Sequence, residues 1–402
     1  MRFEDLEFVN YRNIIDTIEK LDSPSRATVA KELSLSKTTL SYVVGELIER
    51  EIVEETTTED NGKRGRPGLG LRLKNDSWMA LGASFDTTHW KFIKTNLSGG
   101  VELFHEGKEI EKLTPDSLIS ALIDGLEWML AHTSEKLLPG IGLGLPGIIA
   151  PINCRILLAN DLKWHNPINV GDIIRDKFGF NAYAVNRFTA AGIAEYKFAN
   201  PEGERNMIYI GLGHGIRSAI FIDGRLLRGA TYSAGRIAHI VVAQDGPLCD
   251  CGKKGCLLTV ANSDVLIKKA EELRKERAYT SSRLNRIKEA LDIDNICLLA
   301  DEYDSCAMEA INSIVVPLSK GLGEICDIIN PKKIIIGGPI GYSSKYLVSK
   351  LRENMESKIT SDIPGGHIKV EQAKLKDYGS TLGAASLVLE KKAELLFTEK
   401  QP

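Results

Sequence analysis

Residues 239–256 read HIVVAQDGPLCDCGKKGC and bring together one histidine, His239, and three cysteines, Cys249, Cys251 and Cys256. Three thiolates and one imidazole fill all four positions of a tetrahedral metal ion, which is typical of a structural zinc site and leaves no open catalytic position. Glycines between the cysteines allow the loop to fold back tightly enough for such closely spaced ligands to share one ion. We therefore predict structural zinc here, with a nucleophilic cysteine or unligated reduced thiols as the alternatives.

The composition is that of an ordinary folded protein. The chain has 402 residues, 43% of them hydrophobic and 26% charged, which indicates two or three domains. A formal net charge of −3 excludes a chain that is basic throughout, so any nucleic-acid surface must be local. Residues 1–12 lack the apolar run of a secretion signal, and prolines and glycines interrupt the uncharged stretch 137–154. We therefore expect a cytoplasmic protein without a membrane partner.

The first 75 residues predict a winged helix-turn-helix. Apolar spacing indicates three short amphipathic helices, the second and third capped by Ser25 and Ser36. A strand over 52–57, a turn at 59–62 and a returning strand near 69–73 follow. Three helices and a β-wing in this order form a winged DNA-binding domain.

The third helix begins with a cation, hydroxyl groups and an aromatic ring, which suit phosphates and base edges in a major groove. The wing tip adds two arginines on a slim loop that fits a minor groove. The expected DNA-binding residues are Lys37, Thr38, Thr39, Ser41, Tyr42, Arg64 and Arg66. Residues 1–75 carry 12 basic and 14 acidic side chains, a net charge of −2, and the alternative is a helical interaction module that does not bind DNA.

After residue 75 strands alternate with helices, which predicts α/β layers. The whole chain resembles the ROK family of repressors, open reading frames and sugar kinases, in which a histidine ending an E-x-G-H motif precedes C-x-C-G-x-x-G-C. Pro146-Gly147, the segment around Trp164, and Gly337-Gly338 also match the family. The resemblance implies an α+β winged helix-turn-helix followed by an α/β two-lobed actin-like domain, of the ribonuclease H-like class of sugar kinases, Hsp70 and actin. We expect the first lobe over 76–187 and 379–397, and the second, with the zinc loop, over 188–378.

The residues that would carry kinase chemistry depart from the family pattern. In ROK kinases the general base is an aspartate that directly follows an asparagine, whereas this chain has Arg187 after Asn186. A guanidinium stays protonated and cannot accept the proton of a sugar hydroxyl. The two phosphate loops, D-x-G-x-T and G-T-G-x-G, match residues 84–88 and 213–217, where Asp86 and Arg217 replace glycines. We therefore predict that the chain is not an enzyme, and the alternative is an active ROK sugar kinase.

The same departures alter the expected effector site. ROK proteins that bind glucose-like sugars use this asparagine and aspartate, the glutamate and histidine of E-x-G-H, and a glutamate after the last cysteine. This chain keeps Asn186 and His239 but has Arg187, Arg236 and Leu258 at the acidic positions. We expect an effector to contact Asn186, Arg187, Arg236 and His239, with two arginines favouring a sugar phosphate or sugar acid over a neutral sugar. In the alternative, the arginines pair with neighbouring acids and no ligand is bound.

Together these features predict a DNA-binding transcriptional repressor of carbohydrate-related genes whose kinase-like domain has become a sensor. A two-fold homodimer, or a tetramer built from it, would place two wings on a pseudo-palindromic double-stranded operator. The competing functions are an active sugar kinase and a scaffold that does not bind DNA.

Overall fold

The computed structural model of the chain describes residues 3–57, 69–86, 88–159, 162–359 and 368–398. Two compact units are present. The first comprises Met1–Leu143, Asn169–Ala184 and Ala384–Pro402, and the second Gly144–Ile168 and Val185–Gly383. The finer division into residues 1–75, 76–187 with 379–397, and 188–378 stays a prediction.

The elements alternate as the sequence indicates. The helices are α1 (Phe3–Leu21), α2 (Arg26–Glu32), α3 (Lys37–Glu49), α4 (Pro115–Ala131), α5 (Val170–Phe178), α6 (Arg187–Phe198), α7 (Leu257–Ala261), α8 (Ser263–Leu273), α9 (Ile293–Asp301), α10 (Ser305–Ile329), α11 (Gly338–Ser343), α12 (Lys345–Ile359), α13 (Gly379–Leu389) and α14 (Lys392–Thr398). The strands are β1 (Val53–Thr57), β2 (Leu69–Leu73), β3 (Trp78–Asp86), β4 (His89–Asn96), β5 (Val101–Glu106), β6 (Lys136–Leu145), β7 (Ile148–Ala150), β8 (Arg155–Leu158), β9 (Ile168–Asn169), β10 (Asn181–Asn186), β11 (Met207–Leu212), β12 (Ile216–Ile222), β13 (Arg225–Leu226), β14 (Lys333–Gly337) and β15 (Lys369–Gln372).

The helices α1 to α3 and the strands β1 and β2 form a small module that we call the head. Ser25 and Ser36 cap α2 and α3 as predicted, because each hydroxyl oxygen accepts a hydrogen bond from a backbone N–H in the first turn. The strands pair antiparallel, with Val53 opposite Leu73. The described part of the head therefore has the predicted order of three helices and a strand pair. Arg64, Arg66 and the turn that would form the wing tip lie outside the described residues.

The hydrophobic core of the head continues into the rest of the first unit. Buried residues of α1 and α3, such as Ile14 and Leu47, belong to one cluster with Leu138, Leu389 and Leu395. Burial of this apolar surface on both sides stabilises the contact by roughly 25 cal/mol for each square ångström removed from water. The head is thus packed against the rest of the first unit.

The first unit contains a five-stranded sheet in the order β10-β6-β3-β4-β5. Helix α4 packs on this sheet. Thr114 is its N-cap and forms a capping box with Ser117, and Pro115 occupies the first helical position. Gly125 of α4 allows the close approach, since a Cβ there would lie 2.1 Å from the ring of Phe92.

The second unit contains a five-stranded sheet in the order β13-β12-β11-β14-β15. Strands β11 and β12 are antiparallel, while β14 runs parallel to β11 and β15. Long apolar runs in β11 and β14 belong to the same buried cluster as the apolar residues of α10. The Asp304 side chain caps α10 by accepting hydrogen bonds from two backbone N–H groups in its first turn. None of the described helices is long and apolar enough to cross a bilayer.

Candidate functional site

The four predicted zinc ligands lie together in the second unit. One ligand atom from each of His239, Cys249, Cys251 and Cys256 can be chosen so that all four lie within 4.8 Å of one another. The Cys249 Sγ is 3.6 Å from His239 Nδ1, and the Cys251 Sγ is 3.5 Å from the Cys256 Sγ. The donor set fits a tetrahedral zinc ion.

Backbone hydrogen bonds fold the cysteine loop. The Cys249 N–H donates to the carbonyl of Lys253 over 2.8 Å, and the Gly255 N–H donates to the carbonyl of Pro247 over 2.8 Å. Gly255 has a φ of +66°, and a Cβ there would lie only 1.4 Å from the carbonyl oxygen of Ala243. Only glycine allows this approach, so the spacing noted in the sequence has a steric cause.

The protonation states of the loop residues bear on metal binding. Burial raises the pKa of the Cys256 thiol, and the neighbouring thiols raise it further, to about 12. A metal ion would have to displace that proton to bind the sulfur. Burial lowers the pKa of His239, and the positive charges of Arg236 and Lys253 lower it further. The imidazole is therefore neutral at neutral pH, which is the form that ligates zinc.

The exposed face of α3 carries most of the predicted DNA-binding residues. Lys37, Thr38, Ser41 and Tyr42 are exposed, while Leu40 on the same helix is buried. Thr39 differs from its neighbours, because its hydroxyl lies 2.8 Å from the Ser36 hydroxyl and its N–H donates to the same oxygen. Thr39 therefore belongs to the cap of the helix as much as to its surface.

Ion pairs with nearby cations hold the acids that follow α3 and those of strand β1. They are Arg26–Glu55 at 2.8 Å, Arg72–Glu54 at 2.7 Å, Lys74–Glu51 at 2.8 Å and Lys136–Glu51 at 2.7 Å. These acids occupy the last turn after α3 and strand β1, away from the first turn of α3. The negative net charge is thus compatible with a positive contact at the start of that helix.

Of the four predicted effector residues, Asn186 and Arg187 lie at the start of α6. The Asn186 side chain caps the helix, accepting from the Phe188 N–H over 2.9 Å, and donates to the Gly147 carbonyl over 2.9 Å. The Arg187 guanidinium lies 5.0 Å from the centre of the Phe188 ring. A cation in the first turn opposes the helix dipole, whereas the aspartate of the kinase pattern would have matched it.

The other two, Arg236 and His239, border a short helical turn beside the cysteine loop. Arg236 is exposed. Burial, together with the charge of Arg236, lowers the pKa of His239 and also that of Arg217, a residue on β12. In the sequence Arg217 stands out only as the replacement of a loop glycine, and it is not among the predicted effector residues. A charged residue inside the otherwise apolar or small run of β12 was the available signal.

The head, the α/β domain that follows it and the Cys/His loop together match the class of proteins that the sequence resemblance implied. The chain belongs to the ROK family, whose model matches residues 91–391. It is 29% identical to the xylose repressor of Caldicellulosiruptor bescii over 96% of both chains. These matches confirm the resemblance predicted from the sequence.

Solved structures agree on the fold. A ROK family transcriptional regulator, a homologue of the Escherichia coli Mlc protein, has a TM-score of 0.81 and 24% identity over 97% of this chain and 98% of its own. A ROK family glucokinase from Streptomyces griseus, with glucose and AMPPNP, has a TM-score of 0.69 and 21% identity over 77% of this chain and 98% of its own. The predicted fold class, a winged helix-turn-helix followed by an actin-like α/β domain, is thereby confirmed.

Proposed function

We propose that this chain is a DNA-binding transcriptional repressor of carbohydrate-related genes, and that its ROK domain senses an effector and transfers no phosphate. The observation that carries the proposal is the capped helix α3, which presents Lys37, Ser41 and Tyr42 to solvent on a head packed against a kinase-like domain. The similarity to a xylose repressor over nearly the full length of both chains supports it.

The absence of kinase activity rests on three positions. Phosphoryl transfer needs a base for the attacking hydroxyl and a cradle for the nucleotide phosphates. Arg187 stands in place of the base, and Asp86 and Arg217 stand in place of loop glycines. Loss of a positioned general base alone costs about 10²–10⁴ in rate.

His239, Cys249, Cys251 and Cys256 would hold one structural zinc ion per chain. Zinc would supply four bonds that fix the loop between residues 239 and 256 and would polarise no substrate. In this proposal the protein is a cytoplasmic homodimer or tetramer, and the effector contacts Asn186, Arg187, Arg236 and His239.

DNA binding is tested with the full-length protein, selected against sheared genomic DNA and then measured by fluorescence anisotropy on the enriched fragment. We expect binding that persists in excess competitor DNA and weakens when Lys37 or Ser41 is changed to alanine. Lys268→Ala is the matched control, since this lysine of α8 is 79% exposed and lies outside the head. If no fragment is enriched, or if Lys268→Ala weakens binding as much as Lys37→Ala, the proposal fails.

Kinase activity is tested separately by coupled ADP release across pentoses, hexoses and amino sugars with ATP and Mg²⁺. We expect no turnover above background. Turnover above roughly 1 s⁻¹, the low end for kinases, would establish the alternative function.

A further inference from the structure

The side chain of Arg217 is a buried cation that has no acidic partner among the residues the structure describes. It is only 9% exposed, and its Nη2 donates to the Ala234 carbonyl over 3.2 Å. Its Nε forms no hydrogen bond within the part of the chain that the structure describes. None of the described carboxylates forms an ion pair with it.

Such an arrangement is unfavourable for the protein alone. Removing a charge from water is costly unless an opposite charge or several hydrogen bonds compensate for it. Burial and the nearby Arg236 together lower the pKa of Arg217 to about 10, so the guanidinium is still protonated at neutral pH. A buried positive charge that lacks compensation within the protein favours the binding of an anion beside it.

The surroundings of Arg217 add further positive charge. Arg236 is exposed, and its positive charge adds to burial in lowering the pKa values of both Arg217 and His239. The Lys253 Nζ lies 3.5 Å from the His239 carbonyl oxygen. Among the described residues, the charges that shift the pKa values of Arg217 and His239 are those of Arg236 and Lys253, and both are positive. An exposed arginine beside a buried one offers an anion both an entry point and a desolvated partner.

The position of Arg217 on its strand also links it to α6. Arg217 pairs with Gly211, and a Cβ on Gly211 would lie 2.3 Å from the Phe188 ring in the first turn of that helix. Residues paired across two antiparallel strands point to the same face of the sheet. Arg217 therefore lies on the face of the sheet that the Phe188 ring, in the first turn of α6, covers.

We propose that Arg217 and Arg236 together bind the anionic group, a phosphate or a carboxylate, of a sugar effector. The planar guanidinium fork matches either group by paired hydrogen bonds, and an uncharged sugar would leave Arg217 uncompensated. This inference rests on the sensor role proposed above and specifies the chemical class of its ligand.

Binding is measured by thermal shift and by calorimetry on the full-length, zinc-containing protein. The probes are pentose and hexose phosphates, uronic and aldonic acids, the corresponding neutral sugars, and inorganic phosphate. We expect at least one sugar phosphate or sugar acid to raise the melting temperature, and the neutral sugars to leave it unchanged. Comparing the two anionic groups identifies which of them the site prefers.

The variants Arg217→Gln and Arg236→Gln should each weaken binding of the active probe by about tenfold or more, because each removes a charge-assisted pair. Arg225→Gln is the control, since Arg225 is an exposed arginine of the same unit, and it should bind the probe normally. Arg217→Met should also raise the melting temperature of the ligand-free protein by removing an uncompensated buried charge.

Three results would overturn the inference: no anionic sugar shifts the melting curve, inorganic phosphate binds as tightly as every sugar anion, or Arg217→Met lowers the melting temperature of the ligand-free protein. The last result would make Arg217 a structural anchor for the Ala234 carbonyl. Operator binding by the ligand-free protein is measured in parallel. If the operator is bound but no anionic sugar shifts the melting curve, this inference alone is overturned, whereas failure of operator binding overturns the proposed function.

Discussion

The ring of Phe397 in α14 stacks on the ring of Tyr11 in α1, with the two centroids 3.9 Å apart. The Arg50 guanidinium, at the end of α3, lies 4.6 Å from the centre of the same Phe397 ring and donates to the Leu396 carbonyl over 3.0 Å. A second anchor lies on the other side of Arg50, whose carbonyl accepts from the Trp78 indole N–H over 2.9 Å. Residues more than three hundred positions apart therefore fix the helix that presents the predicted DNA-binding surface.

Removal of the Phe397 ring should destabilise the packing of the head. We expect Phe397→Ala to lower the free energy of unfolding by about 1–3 kcal/mol, the sum of a lost aromatic pair, a lost cation–π contact and lost apolar burial. Chemical denaturation measures the change. Operator affinity should fall as well, because two heads must keep a fixed spacing to bind two half-sites.

Phe198→Ala is the matched control for that experiment, since Phe198 is an exposed phenylalanine in the second unit. It should leave operator affinity unchanged. Equal operator affinities for Phe397→Ala and the unmodified chain would show that α14 does not position the head.

The ion pairs of Glu51 predict a pH dependence of stability. Hydrogen bonds from Lys136 and Lys74 lower the pKa of the Glu51 carboxyl from 4.5 to about 2. A carboxyl with a lowered pKa in the folded state stabilises fully above its unfolded pKa and loses this effect as the pH falls towards the folded value. The stabilisation should therefore be complete at neutral pH and decline between pH 4.5 and pH 2.

The Glu51→Gln variant tests this decline. Its melting temperature should lie below that of the unmodified chain at pH 7, and the difference should shrink at pH 3. Glu32→Gln removes an exposed carboxylate of the same head that has no ion pair among the described residues, and it should show no such trend. A difference that stays constant from pH 7 to pH 3 would contradict the assignment.

Metal analysis tests the cysteine loop. We expect one zinc ion per chain after gentle purification, and we expect Cys251→Ser to lower both the zinc content and the melting temperature, because metal binding contributes directly to folding free energy. Cys251 is only half-buried, so the substitution itself removes little packing. Cys326→Ala, a buried cysteine outside the cluster, should keep its zinc. Full zinc content in Cys251→Ser would remove this cysteine from the ligand set.

The sequence predicted best those features that depend on neighbours along the chain. Ser25 and Ser36 were identifiable as caps because a cap acts on the three residues that follow it. The Cys/His loop was identifiable because its ligands are close in sequence and its glycines have a steric role. Asn186 stays a predicted effector contact, but the bond from its amide to Gly147 was not predictable, because it depends on a segment 39 residues away.

Two features lay beyond local patterns. The stacking of Phe397 on Tyr11 joins distant parts of the chain, and no periodicity within either helix identifies the partner. The placement of Arg217 depends on the pairing of β12 with β11, which a single strand pattern does not specify. In both cases tertiary contacts, and not intrinsic propensity, determine what the side chain does.

The salt dependence of operator binding separates the residues of α3 by role. Each phosphate contact contributes about 0.9 to the slope of the logarithm of the binding constant against the logarithm of the salt concentration. Lys37→Ala should lower the steepness by that amount for each lysine lost, and Arg66→Ala should do the same if the wing contacts the backbone. Thr39→Ala should leave the slope unchanged, because its hydroxyl is uncharged and lies against Ser36 in the helix cap. An unchanged slope in Lys37→Ala, or a flatter slope in Thr39→Ala, would mean that the start of α3 meets DNA differently from the way its exposed residues indicate.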